Sequence, residues 1–440
     1  VIVPSRRWLG VAAALALVAP LALAWPSAAV WLVVLDVAWL AALAVDGWRA
    51  VTRGAAPLEV ARAASPAYSV GRPLPVTYTW RSRLPHRAAI RVQEELPPQL
   101  TLAGGPGRTL TLSPSATVLE HHEVRPVARG RAESGTLHLR VSSPWGLAWR
   151  ALRLSLPWDV TVYPPLAGVA LRALPTQVQR RREAGQRAVR RLGEGRVFES
   201  LREWVPGDDP RAIDWKASAR RGLTMVRQFE DERRQHLIIA IDAGRLMTAE
   251  HEGRARLESV VEAALQLAHA AVDHDDDVGL LVFSDTVHHW LAPMRGRRAL
   301  RAVLDALAGV RGALVEPDYP AAFAFLAQRN RRRALTVLFT DVIDPTASDA
   351  LVAHFGSLRG RHLPLAVALR DPDLDRLTTV RPASPSAAYE RAAAEELLDA
   401  REAALGALRR RGVLVLDVSP AGAAEAVVAR YESLKRRGAL

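Results

Sequence analysis

The chain changes its hydrophobic rhythm three times along its 440 residues. Trp8 to Ala24 is uncharged and apolar, Trp25-Pro26-Ser27 interrupts it, and Ala28 to Val45 is apolar again apart from Asp36. Each run has about the length that a bilayer-spanning helix needs. The pattern therefore predicts two transmembrane helices, over about 8–24 and 28–45, forming a hairpin within residues 1–55. Arg6 and Arg7 precede the first run, and Arg49 and Arg53 follow the second. By the positive-inside rule both ends, and the large body behind them, face the cytoplasm. A cleaved signal peptide ending at Ala22-Leu23-Ala24 is the competing reading, and the second apolar run that follows at once counts against it. Asp36 falls mid-span, where a carboxylate costs about 3 kcal/mol on insertion scales. It reads either as a contact between helices or as a protonated or snorkelling acid.

Residues 56–165 switch to a period of two. Leu74–Trp80, Ala89–Val92, Thr109–Leu112, Thr136–Val141 and Val160–Tyr163 alternate apolar and polar positions, with Gly, Pro and Ser between them. That pattern predicts a small all-β sandwich, an interaction or spacer module. Glu120-His121-His122-Glu123 contains metal-ligand residue types, but neighbours on a strand point to opposite faces, so the four cannot converge. Residues 166–192 form a basic linker carrying Arg180, Arg181, Arg182, Arg187, Arg190 and Arg191. It reads as a solvated segment, or as a contact with anionic lipid or an acidic partner.

Residues 193–440 alternate strand and helix. Leu237–Ile241, Val278–Phe283, His288–Leu291, Leu335–Phe339, Leu365–Leu369 and Val413–Leu416 read as strands. Helical spacing covers Leu257–Val272, Leu300–Leu307, Ala321–Gln328, Ala347–Leu358, Ser386–Arg410 and Gly422–Arg436. Strands alternating with helices imply an α/β doubly wound parallel sheet. The complete expectation is a multidomain chain of transmembrane helical hairpin, β-sandwich and α/β domain.

Composition narrows the chemistry. There is no cysteine, hence no disulfide, thiolate nucleophile or cysteine-based zinc site. The net charge of +13 is nearly all arginine, with Lys216 and Lys435 the two lysines. No recognised nucleic-acid module accompanies it, so no nucleic-acid partner is expected; membrane lipids are the fitting counter-surface. His-Glu-x-x-His, a Walker loop and a Gly-x-Ser-x-Gly elbow are all missing from the sequence, and no enzymatic activity is expected.

The stretch from Gly193 to Met247 is the densest in charge and turns. Asp208 and Asp209 before Pro210 predict an N-cap and a first-turn proline. The helix would run past Ile213, Trp215 and Lys216 towards Arg220 and end at Gly222. Its charges, Arg202, Glu203, Asp208, Asp209, Arg211, Asp214, Lys216 and Arg220, read as a paired network tying the segment to the sheet edge, with Trp204 and Trp215 packed beneath. The functional reading of Arg202, Asp208, Asp209, Arg211, Asp214, Trp215, Lys216 and Arg220 is a docking surface, since Trp and Arg are favoured anchors.

Gly195–Ser200, Leu201-Arg202-Glu203, Pro206–Arg211, Ile213–Arg220 and Arg227–Glu230 resemble the core of the bacterial family called domain of unknown function 58, whose members carry a von Willebrand factor type A-like domain. Arg129-Gly130-Arg131, Ser143–Leu147 and Arg430–Lys435 are similar to further parts of that family. The resemblance implies a protein of the bacterial cytoplasmic membrane with its soluble domains facing the cytoplasm. It further implies an adaptor working beside a MoxR-type AAA+ ATPase in chaperone-like remodelling or assembly. Type A domains commonly bind a divalent cation, such as Mg2+, through an Asp-x-Ser-x-Ser turn, a Thr and a later Asp. Here Asp242 and Asp341 match the two acids, while Gly244 and Leu246 replace both serines, and Asp318 and Tyr319 stand where the Thr is wanted. Arg245 could neutralise the acids as an ion pair. A degenerate metal site is the result, so no cofactor is expected. A divalent-metal-dependent adhesion-type binder and a metal-assisted hydrolase remain the alternatives. Asp273-His274-Asp275-Asp276-Asp277 resembles the turn before the second strand of such domains and reads as solvated.

Overall fold

The computed structural model describes residues 2–20, 26–52, 58–165, 197–206, 208–230, 234–251, 253–342 and 345–439. The basic linker at 166–192 lies outside the described residues. Two compact units emerge, Val1–Pro165 and Leu166–Leu440.

In the first unit, alternation builds two larger sheets and a three-stranded one of Ala67–Ser69, Val160–Tyr163 and Gly130–Ala132. Ile2–Pro4, Ala148–Ser155, Thr136–Ser142, Ala88–Glu95 and Gly107–Leu112 are neighbours in one; Leu58–Ala63, Leu74–Ser82, Thr117–Pro126 and Leu100–Leu102 are neighbours in the other. Side chains at every second position, such as Val76, Tyr78 and Trp80 against Ile90, Val92, Leu137 and Leu139, share one core. Within it Glu94 is buried, pairing with Arg62 at 2.9 Å and Arg108 at 3.2 Å and accepting from the Tyr78 hydroxyl. Glu120 and His122 fall on one face and pair at 3.3 Å, while His121 bonds Thr77 across the sheet.

Two helices precede these sheets, Arg6–Val18 and Pro26–Thr52. Ala29–Ala50 is long and apolar enough to cross a membrane. The helices pair through reciprocal bonds, each indole N–H of Trp8 and Trp39 donating to the other's backbone carbonyl at 3.3 Å. Ile2–Pro4, before the first helix, pairs antiparallel with Ala148–Arg150. Asp36 is exposed on the helix surface about one turn from Trp39.

The second unit contains a six-stranded sheet, numbered here β1 His236–Asp242, β2 Asp277–Phe283, β3 Val287–Arg295, β4 Leu335–Thr340, β5 Leu363–Leu369 and β6 Leu414–Val418. The spatial order is β3-β2-β1-β4-β5-β6, all parallel except the edge strand β3. Helices α1 Arg256–Asp273, α2 Gly296–Gly309, α3 Tyr319–Arg329, α4 Pro345–Ser357, α5 Pro372–Thr379, α6 Pro385–Arg410 and α7 Ala423–Arg436 surround it. One face packs on α1, α2 and α7 through Ile239, Ile241, Val337 and Phe339; the other packs on α3, α4 and α6 through Ile238, Ala240 and Leu338. Burial on both faces explains why the strands read as continuous apolar runs.

Ahead of the sheet, Val197–Glu203 and Met225–Glu230 form an antiparallel pair that the charge-rich sequence did not predict. Between them, the helix expected from Pro210 begins five residues later. Pro210–Ala212 makes a single 3-10 turn, Ile213 bridges Val226, and the helix is Trp215–Arg221. Its N-cap is Asp214, which accepts from the Ala217 N–H at 2.9 Å, and Gly222 closes it at φ 70° as expected.

Candidate functional site

The chain runs β1, β2, β3 in one direction across the sheet and then resumes with β4 on the other side of β1. Open α/β sheets place their sites at the carboxyl ends of strands beside such a reversal. Asp242 ends β1 and Asp341 follows β4, so the topology brings the two expected acids to this point, both buried. Thr340 stands between them, its hydroxyl donating to Asp242 Oδ2 at 2.8 Å, with the Asp341 carbonyl 3.3 Å away.

Asp242 is held by neutral donors. The Tyr319 hydroxyl donates to Oδ2 at 2.9 Å, and the Gly244 N–H donates to Oδ1 at 2.8 Å. Asp341 is held by cations. Arg401 Nη1 and the Val342 N–H each donate to Oδ1 at 2.8 Å, and Arg256 Nη1 pairs with Oδ2. Both arginines reach on: Arg256 to Asp371, and Arg401 to Asp417 at 2.8 Å, which Arg370 also contacts at 3.2 Å. Sequence reasoning missed Thr340, Arg256, Arg401, Asp371 and Asp417. One signal was available for Arg401, which shares the buried helical stripe of Ala394, Leu405 and Leu408. Arg245, expected as the neutralising cation, pairs with Glu316, while the guanidinium groups on Asp341 come from Arg256 and Arg401. Asp318 caps α3 by accepting from the Ala321 N–H at 2.8 Å.

These residues do not fit a divalent cation. Magnesium needs oxygen ligands in near-octahedral geometry, whereas both Asp341 oxygens carry guanidinium groups. A side chain at Gly244 would be tight: a Cβ there would stand 3.0 Å from Asp242 Oδ1, from Pro317 and from the Val315 carbonyl.

Burial is the largest influence on both carboxyl groups and raises both pKa values above the ordinary 3.8; Thr340, Tyr319 and the Gly244 N–H oppose it at Asp242, and the two arginines oppose it at Asp341. Burial also pushes the Tyr319 hydroxyl well up, so it stays a donor. An acid harder to ionise in the folded state keeps its proton longer there. Its contribution to stability is therefore lost as pH rises from 3.8 through the folded value. Asp242→Asn cannot titrate and is expected to remove that falling component. Urea unfolding across this pH range, variant against parent, measures it; identical slopes would show that Asp242 ionises normally.

Of the residues expected to form a docking surface, Arg202 lies in the antiparallel pair ahead of the sheet and the others lie between its two strands. Arg202 grips Asp208 with both terminal nitrogens, one at 2.7 Å, and Arg202 thereby holds the Asp208 carboxyl below its ordinary range. Asp208 also accepts from the Val205 N–H at 2.9 Å, while Asp214 serves as the helix cap. Arg211 lies in the 3-10 turn, and Asp209 follows Asp208 just before it. Lys216 and Arg220 are exposed. The expected packing of the tryptophans beneath the charges does not occur: Trp215 is 71% exposed and Trp204 38%, with Leu223 also exposed. The helix is short, and its capping fixes which face points outward.

Residues 200–388 match the family model described as "Protein of unknown function DUF58". Similar curated proteins carry names to match. The "Uncharacterized protein YeaD" of Bacillus subtilis (strain 168) is 25% identical over 219 residues, 48% of this chain and 52% of that one. The "Uncharacterized protein Rv1480" of Mycobacterium tuberculosis (strain ATCC 25618 / H37Rv) is 25% identical over 187 residues, 41% of this chain and 55% of that one. The chain thus spans about half the length of the curated relatives it matches. Among solved structures, Salmonella alpha-2-macroglobulin reacted with methylamine aligns with 25% of this chain and 7% of its own at 16% identity and a TM-score of 0.21.

Proposed function

We propose that this chain is a membrane-tethered interaction protein that presents the 197–230 segment to a partner protein in the cytoplasm. In this reading its two N-terminal helices form the membrane hairpin, and its α/β unit is of the von Willebrand factor type A kind. The strand order, the single antiparallel edge strand and an aspartate ending the first strand support that fold. The single observation carrying the function is Trp215, 71% exposed on a helix pinned at both ends, with Lys216 and Arg220 beside it. An exposed, pre-positioned indole loses little conformational freedom on binding, which is what a hot-spot anchor requires. The family resemblance points to a MoxR-type AAA+ ATPase as that partner. The self-neutralised sheet edge favours contact without a metal over the adhesion-type and hydrolytic readings.

The test is capture of the ATPase by the full-length protein from native membranes, in each nucleotide state, with magnesium and with EDTA. Retention is expected to survive EDTA washing with nucleotide held constant. Trp215→Ala is expected to lower it by at least about tenfold, the scale of a hot-spot residue. Failure to retain any AAA+ ATPase in every nucleotide state would sink the adaptor reading.

A further inference from the structure

The first unit fixes where its helices meet the sheet. Because Trp8 and Trp39 are bonded to each other, they stand level, and distances along both helices are measured from them. Trp8–Val18 rises about 15 Å and Pro26–Trp39 about 20 Å at the helical rise per residue. A bilayer's hydrocarbon core is about 30 Å thick. Beyond Trp39 the second helix runs on to the sheet, and Ala29–Ala50 as a whole is long and apolar enough to cross a bilayer. The buried Asp46 carboxylate accepts from the Ser143 hydroxyl, from the Trp145 N–H at 3.0 Å and from the Leu147 N–H at 3.1 Å. Arg150 donates to the Ala50 carbonyl at 2.9 Å, and Ser5, the N-cap of the first helix, donates its N–H to the Leu147 carbonyl at 2.8 Å. Gly47 faces Ile2, whose side chain would lie 3.2 Å from a Cβ placed there. Both helices are thus clamped to the same end of the sheet, which lies at one end of that apolar length.

The depth of a membrane anchor is set by the aromatic and basic residues that flank its apolar length. The residues at this end of the sheet are of that kind. Trp145 is 49% exposed and Trp48 65%, the Arg49 guanidinium lies 4.7 Å from the Trp145 ring centre, and Arg7 Nη1 lies beside Gly146 in the same turn. Arg6 and Arg7 are exposed at the start of the first helix. Indoles beside arginines match the interfacial zone, where aromatic rings sit at headgroup level and guanidinium groups meet phosphate. Asp46 does not oppose this, because its oxygens are occupied inside the protein.

We infer that this end of the sheet, around Trp145 with Arg7 and Arg49, is a lipid-binding surface seated in the headgroup layer and selective for anionic phospholipid. The inference rests on the membrane reading proposed above, and the test separates the two. The chain has no cysteine, so single cysteines can be placed in the full-length protein and labelled with an environment-sensitive fluorophore. Pro144→Cys reports the proposed surface. Ser155→Cys, exposed at the far end of the same strand pair about 20 Å away, is its control. Val34→Cys reports the helix. The protein is reconstituted in vesicles of phosphatidylcholine, with or without phosphatidylglycerol, carrying quenchers at the headgroup or on the acyl chain.

Headgroup quenching several times stronger at 144 than at 155 is expected, with phosphatidylglycerol enriched among co-purifying lipids. Arg7→Gln and Arg49→Gln should each lower that enrichment by about fivefold, the ratio equivalent to ~1 kcal/mol per basic residue near an anionic surface. Equal quenching at 144 and 155, with Val34→Cys still quenched by the acyl-chain probe, would overturn the surface while leaving the membrane anchor in place. Quenching at 144 without phosphatidylglycerol enrichment would overturn the selectivity. No acyl-chain quenching at Val34→Cys would remove the membrane reading itself.

Discussion

Asp341→Ala is expected to destabilise the α/β unit by about 3–5 kcal/mol, the range seen when one member of a buried charge network is removed. The aspartate is nearly inaccessible, and its loss leaves the Arg256 and Arg401 guanidinium groups, each 5% exposed, without their shared counter-charge. Neither can turn to water, because Arg256 begins α1 and remains tied to Asp371, while Arg401 is tied to Asp417. Asp341→Asn keeps an oxygen for the Val342 N–H and should cost less. The full chain in detergent, unfolded in urea and followed by amide exchange in β1 and β4, reads both changes. A loss below about 1 kcal/mol for Asp341→Ala, the scale of an exposed pair, would mean the network is solvated and carries no such role. Replacing the whole set with well-packed apolar residues is a different experiment and can be neutral, since buried pairs recover their desolvation cost only in part. The network is therefore better understood as fixing the geometry of the sheet's carboxyl edge than as a source of net stability. It joins the ends of β4 and β6 to α1, α5 and α6 at the carboxyl edge of the sheet.

How much of this was legible depended on the range of the interactions involved. Strands such as Leu237–Ile241 and Leu335–Phe339 announce themselves because both faces are buried and every position but Thr336 is apolar. Asp242 was readable as the polar residue ending such a strand. Tyr319 appeared only as a poor substitute for a threonine, since nothing local shows that its hydroxyl reaches across 77 residues to Asp242. Arg401 is separated from Asp341 by 60 residues, and in a helix of Ala, Glu and Arg it resembles any solvated arginine unless the buried stripe is traced through it. The lead-in was misread for the opposite reason. Its local signals were strong but incomplete: Asp-Asp-Pro is a sound helix start, and the chain declines it because Ile213 is taken by a bridge to Val226. Asp214 then provides a cap at the next opportunity. Charge density likewise concealed the two strands flanking that helix, whose pairing lies in backbone hydrogen bonds.

The acidic turn before β2 shows the same limit at a site of larger consequence. Asp273-His274-Asp275-Asp276-Asp277 reads as solvated, and Asp275 conforms, exposed and paired with Arg295. Asp276 does not; it is completely buried. Its carboxylate accepts from the Gln235 N–H at 3.0 Å, from Lys435 Nζ at 2.5 Å and from the Tyr431 hydroxyl. Two of these donors come from the C-terminal Arg430–Lys435 segment, so that motif acts as a latch holding α7 against the start of the sheet. Asp276→Ala should cost about 3–5 kcal/mol through the unpaired ammonium and the orphaned Gln235 N–H. Tyr431→Phe, which keeps the buried ring, should cost about 0.5–1.5 kcal/mol for one net hydrogen bond. A latch makes a sharper forecast than general destabilisation: amide exchange in α7 should accelerate in Asp276→Ala before that in β4, because α7 depends on this contact and β4 is held from both sides by β1 and β5. Acceleration that is uniform across the unit would mean that Asp276 supports the whole core and that α7 has no separate dependence on it.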